Sequence, residues 1–246
     1  MPVFFVSPDC IAPPVISISG DLLVHLRDSL RTQIGEIVWF SDGAGRRYRT
    51  EITELNKHTM AGRIVEVMAQ PPSASPALIL SQAVLKGEKM DYVIQKAAEL
   101  GIARLVPLQT RHTIVQLRPD RIDQQCSRWQ RIALEAAQQS EQWRVPTIAQ
   151  PQSFSAWLRS EAVGTATFIL SERQEGTSLQ TVELPQRADD SVLVMIGPEG
   201  GWSAKEIEMA RQAGCTFITL GRYILRAETA ALAAVSILQS RLGNLG

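Results

Sequence analysis

The chain has 246 residues, of which 45% are hydrophobic, and its 25 lysines and arginines balance its 25 acidic residues. This length can bury a large core and favours two domains. No apolar run reaches the roughly twenty residues of a membrane-spanning helix, and the first residues lack a basic signal region, so we expect a cytoplasmic protein with no membrane association.

The first part of the chain is mostly strand-like. Alternating apolar and polar residues predict strands at 4–7, 36–40, 47–55 and 63–68, with one helix at 22–31. A small antiparallel barrel is the expected result. Arginines of this part are candidate phosphate contacts: Arg27, Arg31, Arg46, Arg47 and Arg49. The sequence Gln-Pro-Pro-Ser-Ala-Ser-Pro at 70–76 fits neither strand nor helix, and it predicts a boundary between domains at 1–70 and 77–246.

After this linker, predicted strands alternate with predicted helices. The strands are at 77–83, 105–108, 167–170, 191–196 and 215–220, and the helices are at 88–100, 118–142, 203–213 and 229–242. Ser203 and Glu206 have the spacing of a capping box at the start of one helix. The alternation predicts an α/β domain with a mostly parallel sheet.

Charge is segregated along the chain although its formal sum is zero. From residue 104 to residue 144 there are seven arginines and four acidic residues, and Trp129 and Trp143 lie in the same stretch. Arginine beside aromatic residues favours contacts with RNA backbone and bases. A solvated helix face remains the alternative.

A glycine-bearing loop follows the apolar strand at 191–196. Its sequence, Gly197-Pro-Glu-Gly-Gly, does not match the dinucleotide fingerprint, and it lacks the lysine and hydroxyl of a phosphate-binding loop. Glu199 also stands where a pyrophosphate would need positive potential. A cofactor that carries positive charge would fit better, and a purely structural tight turn is the alternative.

Cysteine and histidine are scarce. Cys10, Cys126 and Cys215 are far apart in the sequence, which excludes a disulfide framework and a paired-cysteine metal site. None of the three histidines lies at ligand spacing from another, so we expect no metal.

Several motifs together carry a family resemblance. They include Lys86-Gly-Glu-Lys-Met-Asp, Arg128-Trp, Ile196-Gly-Pro-Glu-Gly-Gly, and Leu220-Gly with Ile-Leu-Arg and Glu-Thr-Ala over 224–230. Over nearly its whole length the chain resembles the RsmE family, bacterial enzymes that methylate N3 of a uridine in 16S ribosomal RNA with S-adenosylmethionine.

The resemblance implies a fold and a cofactor site. It implies an N-terminal PUA-like β-barrel that binds RNA and a C-terminal SPOUT methyltransferase domain that has a trefoil knot and forms a homodimer. By the same resemblance, the knot loops would bind S-adenosylmethionine through Leu170, Ser171, Glu172, Ile196, Gly197, Pro198, Glu199, Gly200, Gly201, Leu220, Gly221, Ile224 and Leu225.

Two charged residues that follow the segment 220–225 are the catalytic candidates. Uridine N3 carries a proton that must leave for methylation. Arg226 would stabilise negative charge on the uracil carbonyls, since arginine stays protonated. Glu228 would be a base or an orienting partner of Arg226, and we favour orientation because an exposed glutamate at a helix N-terminus is a weak base. An ion pair that only holds the loop is the alternative.

Basic residues within the matching motifs are the candidates for placing RNA or the small ribosomal subunit. They are Lys86, Lys89, Lys96, Arg128 and Arg131, with ordinary solvated side chains as the alternative. The chain departs from the family pattern at Val3, His112 and Gln142, where RNA contacts are expected to differ, and at Tyr223 and Ala227, where the local hydrogen bonds are expected to differ.

Three other functions remain open. A ribose-methylating SPOUT enzyme usually has an Asn-x-Gly-x-x-x-Arg pattern, which this chain lacks. A nucleotide-dependent oxidoreductase is disfavoured by the failed fingerprint. A non-catalytic RNA-binding factor for ribosome assembly would need the basic helices but no glycine loops.

Overall fold

The computed structural model describes residues 3–161, 165–171 and 176–245, which form two compact units. The first unit comprises Met1–Pro72 and Ala137–Val145, and the second comprises Ser73–Ala136 and Pro146–Gly246.

The first unit is built on a six-stranded sheet. Its elements are β1 (Val3–Phe5), β2 (Ile11–Ala12), β3 (Val15–Ile18), α1 (Gly20–Val24), β4 (Ile37–Ser41), β5 (Arg46–Leu55) and β6 (Met60–Ala69). The strand order is β1-β4-β5-β6-β3-β2. The expectation of a purely antiparallel sheet is wrong for one pair, because β1 and β4 run parallel. Two strands and a helix lie between them in the chain, which is the kind of crossover that a parallel pair requires. The sheet is a mixed half-barrel.

Alternation along the strands builds the core of this unit. In β3, Ile16 and Ile18 are buried while Val15 is exposed, as expected for a sheet with one covered face. Leu23 and Leu26 cover that face, and each fully buried side chain of this kind contributes about 1.5–3 kcal/mol. The predicted helix at 22–31 begins earlier than expected and continues beyond α1 as a π-helical turn.

The second unit alternates strands and helices. Its strands are β7 (Ala77–Ala83), β8 (Arg104–Gln109), β9 (Thr147–Ile148), β10 (Gln152–Ser153), β11 (Ala166–Leu170), β12 (Thr177–Ser178), β13 (Ser191–Ile196) and β14 (Thr216–Thr219). Its helices are α2 (Lys89–Glu99), α3 (Ile122–Gln139), which extends into the first unit, α4 (Phe154–Glu161), α5 (Ala204–Gln212) and α6 (Ala227–Arg241).

All described strand pairs of this unit are parallel, which confirms the predicted parallel α/β sheet. The order is β10-β8-β7-β13-β11-β14-β12, with β9 beside β8. Both faces of the sheet are covered. Val192, Val194 and Ile196 of β13 pack in the cluster that contains α2 and α6 residues, whereas Leu193 and Met195 pack in the cluster that contains α4 and α5 residues.

None of the described helices combines the length and the apolar character needed to cross a membrane.

Candidate functional site

A cavity opens at the carboxyl ends of two neighbouring strands of the second unit. β11 and β13 pair in parallel and end at Leu170 and Ile196, so the loops that follow them emerge at the same edge of the sheet. Ligands of open parallel sheets bind at this edge. The cavity has a volume of about 650 Å³, which lies within the roughly 300–1,000 Å³ of small-molecule sites.

The cavity brings together eight of the predicted cofactor residues. They are Leu170, Ser171, Ile196, Gly197, Pro198, Glu199, Gly200 and Gly201. Leu220, Gly221, Ile224 and Leu225 are not among its described lining residues. Ile224 is exposed, and Leu225 packs against the hydrophobic core instead. Glu172 lies outside the described residues.

Six further described residues line the cavity and were not predicted from the sequence: Trp202, Ala204, Ile207, Arg211, Ala227 and Ala230. The signal for most of them was helical spacing. Ala204, Ile207 and Arg211 share one face of α5, and Ala227 and Ala230 share one face of α6. No motif pointed to Trp202, whose indole Nε1 donates a hydrogen bond to the carbonyl oxygen of Leu170 at 2.9 Å.

The glycine loop packs closely against its neighbours. A Cβ atom at Gly200 would lie 2.9 Å from Cβ of His112, and one at Gly197 would lie 3.2 Å from the Trp202 ring. Nδ1 of His112 is 3.1 Å from the carbonyl oxygens of both Gly200 and Gly201, so this nitrogen acts as the donor. His112, where the family resemblance left the contacts in doubt, therefore supports the loop.

The predicted capping box at the start of α5 is confirmed. The Ser203 hydroxyl accepts from the backbone N–H of Glu206 at 3.3 Å, and the Glu206 carboxylate accepts from the backbone N–H of Ser203 at 2.9 Å. Glu206 is buried and also accepts from the backbone N–H of Arg111 at 2.8 Å. This carboxylate ties the segment before His112 to the helix that follows the glycine loop.

Three charged side chains meet at the edge of the cavity. Nζ of Lys89 lies 3.4 Å from a carboxylate oxygen of Glu199 and 3.4 Å from one of Glu228. Lys89, predicted to contact RNA, is thus engaged with two carboxylates. The Glu228 side chain is only 15% exposed, so the expectation of an exposed glutamate is wrong. Its place in the first turn of α6 favours its negative charge.

Arg226 immediately precedes α6 and is exposed. Its carbonyl oxygen accepts the hydrogen bond that starts the helix, but its side chain makes no cap hydrogen bond. Among the described residues, the ion-pair partner of Glu228 is Lys89 and not Arg226. The Arg226 guanidinium can therefore turn toward a ligand.

Most of the other predicted RNA contacts have partners within the chain. Arg128 donates two hydrogen bonds to the Asp91 carboxylate, at 2.9 and 2.5 Å, and Lys96 pairs with Glu99 at 2.7 Å. Arg131 and Glu135 are 3.9 Å apart, and Lys86 is exposed. Arg128 and Arg131 also border a groove of about 610 Å³ lined by Arg121, Gln124, Gln125, Ser127, Arg128 and Arg131.

In the first unit, Arg27 and Arg31 differ. Arg27 donates to both carboxylate oxygens of Asp28, and these hydrogen bonds hold the pKa of Asp28 below its ordinary value. Arg31 is exposed and has a positive φ of 55°. Arg47 stacks on the Trp143 ring at 4.0 Å, where desolvation by burial lowers its pKa, so it is bound within the unit.

Over residues 3–161, 165–171 and 176–245, no group of three or more histidine, cysteine or acidic side chains is arranged to hold a metal ion.

Two family models match the chain. One, described as an RNA methyltransferase domain, matches residues 72–239, and the other, described as an RNA methyltransferase PUA domain, matches residues 18–65. Among curated proteins, the ribosomal RNA small subunit methyltransferase E of Synechocystis is 29% identical over 96% of this chain and 77% of its own. The protein of the same name from Bacillus subtilis is 27% identical over 91% and 89%. These relatives confirm the resemblance to the RsmE family.

Solved structures of methyltransferases are similar to this chain over nearly its whole length. A ribosomal RNA small subunit methyltransferase E from Neisseria gonorrhoeae, bound to S-adenosyl methionine, superposes with a TM-score of 0.86, with 28% identity and 98% of both chains covered. A putative methyltransferase from Legionella pneumophila, in complex with the same cofactor, has a TM-score of 0.85, with 27% identity and 97% of both chains covered.

Proposed function

We propose that this chain, which belongs to the RNA methyltransferase family, methylates N3 of a uridine in small-subunit (16S) ribosomal RNA with S-adenosylmethionine. One observation carries this proposal. The cavity at the carboxyl ends of β11 and β13 is lined by the glycine loop, and Glu228 and Arg226 lie beside it on the segment that begins α6.

The residues of the cavity fit the cofactor. S-adenosylmethionine, when bound, supplies a methyl group on a sulfonium cation. The missing side chains of Gly197 and Gly200 let Trp202 and His112 pack against the loop, so the loop offers a ligand mainly backbone groups at these two positions. Ile196, Ile207 and Ala230 offer apolar surface, and Glu199 offers negative charge to a cation. Relatives crystallised with this cofactor support the assignment.

The chain's charged residues would handle the proton and the charge of the base. The N3–H proton of the uracil must leave as the nitrogen acquires a methyl group. Arg226 would donate hydrogen bonds to the uracil carbonyl oxygens and stabilise their negative charge. Glu228 would accept the proton, since it is mostly shielded from solvent and is not paired with Arg226 in the described residues.

Further parts of the proposal concern the assembly. We propose that the segment from β13 to α6 forms a trefoil knot, that the first unit is a PUA-like barrel that binds RNA, and that the protein acts as a homodimer in the cytoplasm. A parallel sheet with β13 between β7 and β11, and the PUA match over residues 18–65, support this architecture. The exposed basic residues Lys86, Arg31 and Arg131 are the proposed phosphate contacts.

The decisive experiment uses unmodified small ribosomal subunits and labelled S-adenosylmethionine. After incubation, the RNA is digested and the methylated nucleoside is identified by mass spectrometry. We expect 3-methyluridine. A ribose-methylated nucleoside would indicate the other class of SPOUT enzyme, and RNA binding without any transfer would indicate an assembly factor.

A further inference from the structure

Lys89 lies where three segments of the second unit meet. It is the first residue of α2, which follows β7. Because β7 pairs in parallel with β13, the loop after β13 emerges beside it and brings Glu199 within reach. Glu228 approaches from the first turn of α6. A single ammonium group therefore connects the glycine loop to the helix that carries the proposed proton acceptor.

The ammonium group of Lys89 stabilises the negative charge of the Glu228 carboxylate. The Glu228 side chain is 15% exposed, and its Oε2 atom is shielded from solvent and has no hydrogen-bond partner among the described residues. The 3.4 Å contact with Lys89 is an ion pair and lacks the geometry of a hydrogen bond. Lys89 thus offsets the cost of shielding the negative charge on Oε2.

The charges around Lys89 explain why it holds its neighbours in place. Two carboxylates share one ammonium group, which leaves a net charge of minus one. Without Lys89, two like charges would face each other at the edge of the cavity and repel. The glycine loop that carries Glu199 is also held by His112, so the repulsion would mainly displace the Glu228 side chain.

We infer that Lys89 is a positioning residue for methyl transfer, an inference that rests on the proposed function. Lys89 holds Glu228 so that its carboxylate takes the proton released when the N3–H bond of the uracil breaks. The electron pair left on N3 forms the bond to the methyl carbon, and the electron pair of the broken carbon–sulfur bond stays on sulfur. Lys89 acts through Glu228 and Glu199, and it needs no contact with RNA phosphate.

The test compares Lys89→Gln, Lys89→Arg, Glu228→Gln and the double variant Lys89→Gln/Glu228→Gln. Transfer of labelled methyl groups to unmodified small ribosomal subunits gives kcat, calorimetry gives the Kd for S-adenosylmethionine, and thermal melting checks the fold. Lys205→Gln is the control, because Lys205 is an exposed lysine of the same unit with no ion pair among the described residues.

Lys89→Gln should lower kcat by about tenfold or more while the Kd changes by less than about threefold. Lys89→Arg should restore most of kcat, since it keeps the positive charge. The double variant should be about as slow as Glu228→Gln alone, because the two residues act as a unit. Lys205→Gln should have the same kcat and the same Kd for S-adenosylmethionine as the wild-type protein.

Two results would overturn the inference: a Lys89→Gln variant that transfers methyl groups at the unchanged rate, or losses in the double variant that multiply as for independent residues. These failures differ from failure of the proposed function. That function fails if the unchanged protein transfers label but forms no 3-methyluridine, whereas the rate comparison does not depend on which nucleoside carries the label.

Discussion

Arg226 and Glu228 are separated by one residue, but they lie in different surroundings. Arg226 is exposed at the helix start, whereas Glu228 is mostly buried and faces an ammonium group. The two side chains can therefore have different roles in the reaction. The positive charge of arginine can stabilise a uracil ring that becomes negative during the reaction, and a shielded carboxylate can accept the proton that leaves N3.

Arg226→Ala should slow methyl transfer by at least about 100-fold, the loss typical of removing a donor to a developing anion. The Kd for S-adenosylmethionine should stay within about threefold, because Arg226 is not among the described lining residues of the cavity. Labelled transfer and calorimetry measure the two quantities. Arg222→Ala, an exposed arginine of the same loop, is the control. Full activity of Arg226→Ala would leave Arg226 with a structural role only.

Cys215 is buried in the second unit, and burial raises the pKa of its thiol from 9.0 to about 11. The folded state therefore prefers the protonated thiol. The contribution to stability is fully present below pH 9, and it is lost as the pH rises toward 11. We expect the urea midpoint of the unchanged protein to fall more steeply over this range than that of Cys215→Ala. Parallel curves would show that the thiol does not contribute.

The glycine loop is held in place by the segment that contains His112, which packs against it. His112 supports the loop through its ring and also occupies the space where a Gly200 side chain would be. The buried Glu206 fixes this segment from the helix side. The loop is thus held by contacts that are far apart in the sequence.

Gly200→Ala should weaken S-adenosylmethionine binding by about tenfold, since overpacking of this kind costs on the order of 1–3 kcal/mol. Calorimetry measures the effect. Adding His112→Gly removes the Cβ atom that the new methyl group would meet, so Gly200→Ala should weaken binding less in a His112→Gly background than in the wild-type protein. An equal loss in both backgrounds would mean that the backbone of the loop, and not His112, limits the space.

Long elements were predictable from the sequence, and short ones were not. Buried strands such as β7 and β13, and the capped helix α5, follow from apolar runs and cap residues. The strands β2, β9, β10 and β12 have two residues each and exist only through pairing with distant partners. The helix α4 was missed as well.

The predicted helix at 118–142 also ended earlier than expected. α3 stops at Gln139, and Glu141 adopts a positive φ of 52° that closes the helix without the usual glycine. For the candidate site, the motifs identified the glycine loop. They could not show that Lys89 faces Glu199 and Glu228, because this depends on the order of the strands.

The whole molecule has a formal net charge of zero, but its charges are unevenly distributed and one groove is basic. Arg121, Arg128 and Arg131 line it with glutamines, and Arg128 is already paired with Asp91. Local charge, more than net charge, decides how a protein meets a polyanion. Arg121 and Arg131 are the arginines of the groove best able to meet phosphates.

Replacing both Arg121 and Arg131 with glutamine should weaken RNA binding and make it less dependent on salt. Each lost phosphate contact should reduce the slope of log K against log salt by roughly 0.7 to 0.9. Binding titrations at several salt concentrations measure the slope, with Arg159→Gln, an exposed arginine on α4, as the control. An unchanged slope would remove the groove from the RNA-binding surface.

Trp202 gives the cavity an optical signal of its own. Its indole is fixed to the Leu170 carbonyl oxygen and lies on Gly197, so a bound ligand must alter its surroundings. Adding S-adenosylmethionine should shift or quench tryptophan emission, and Trp202→Phe should remove most of the change although the other four tryptophans remain. Occupancy of the site can then be followed in real time, without label and before any RNA is added.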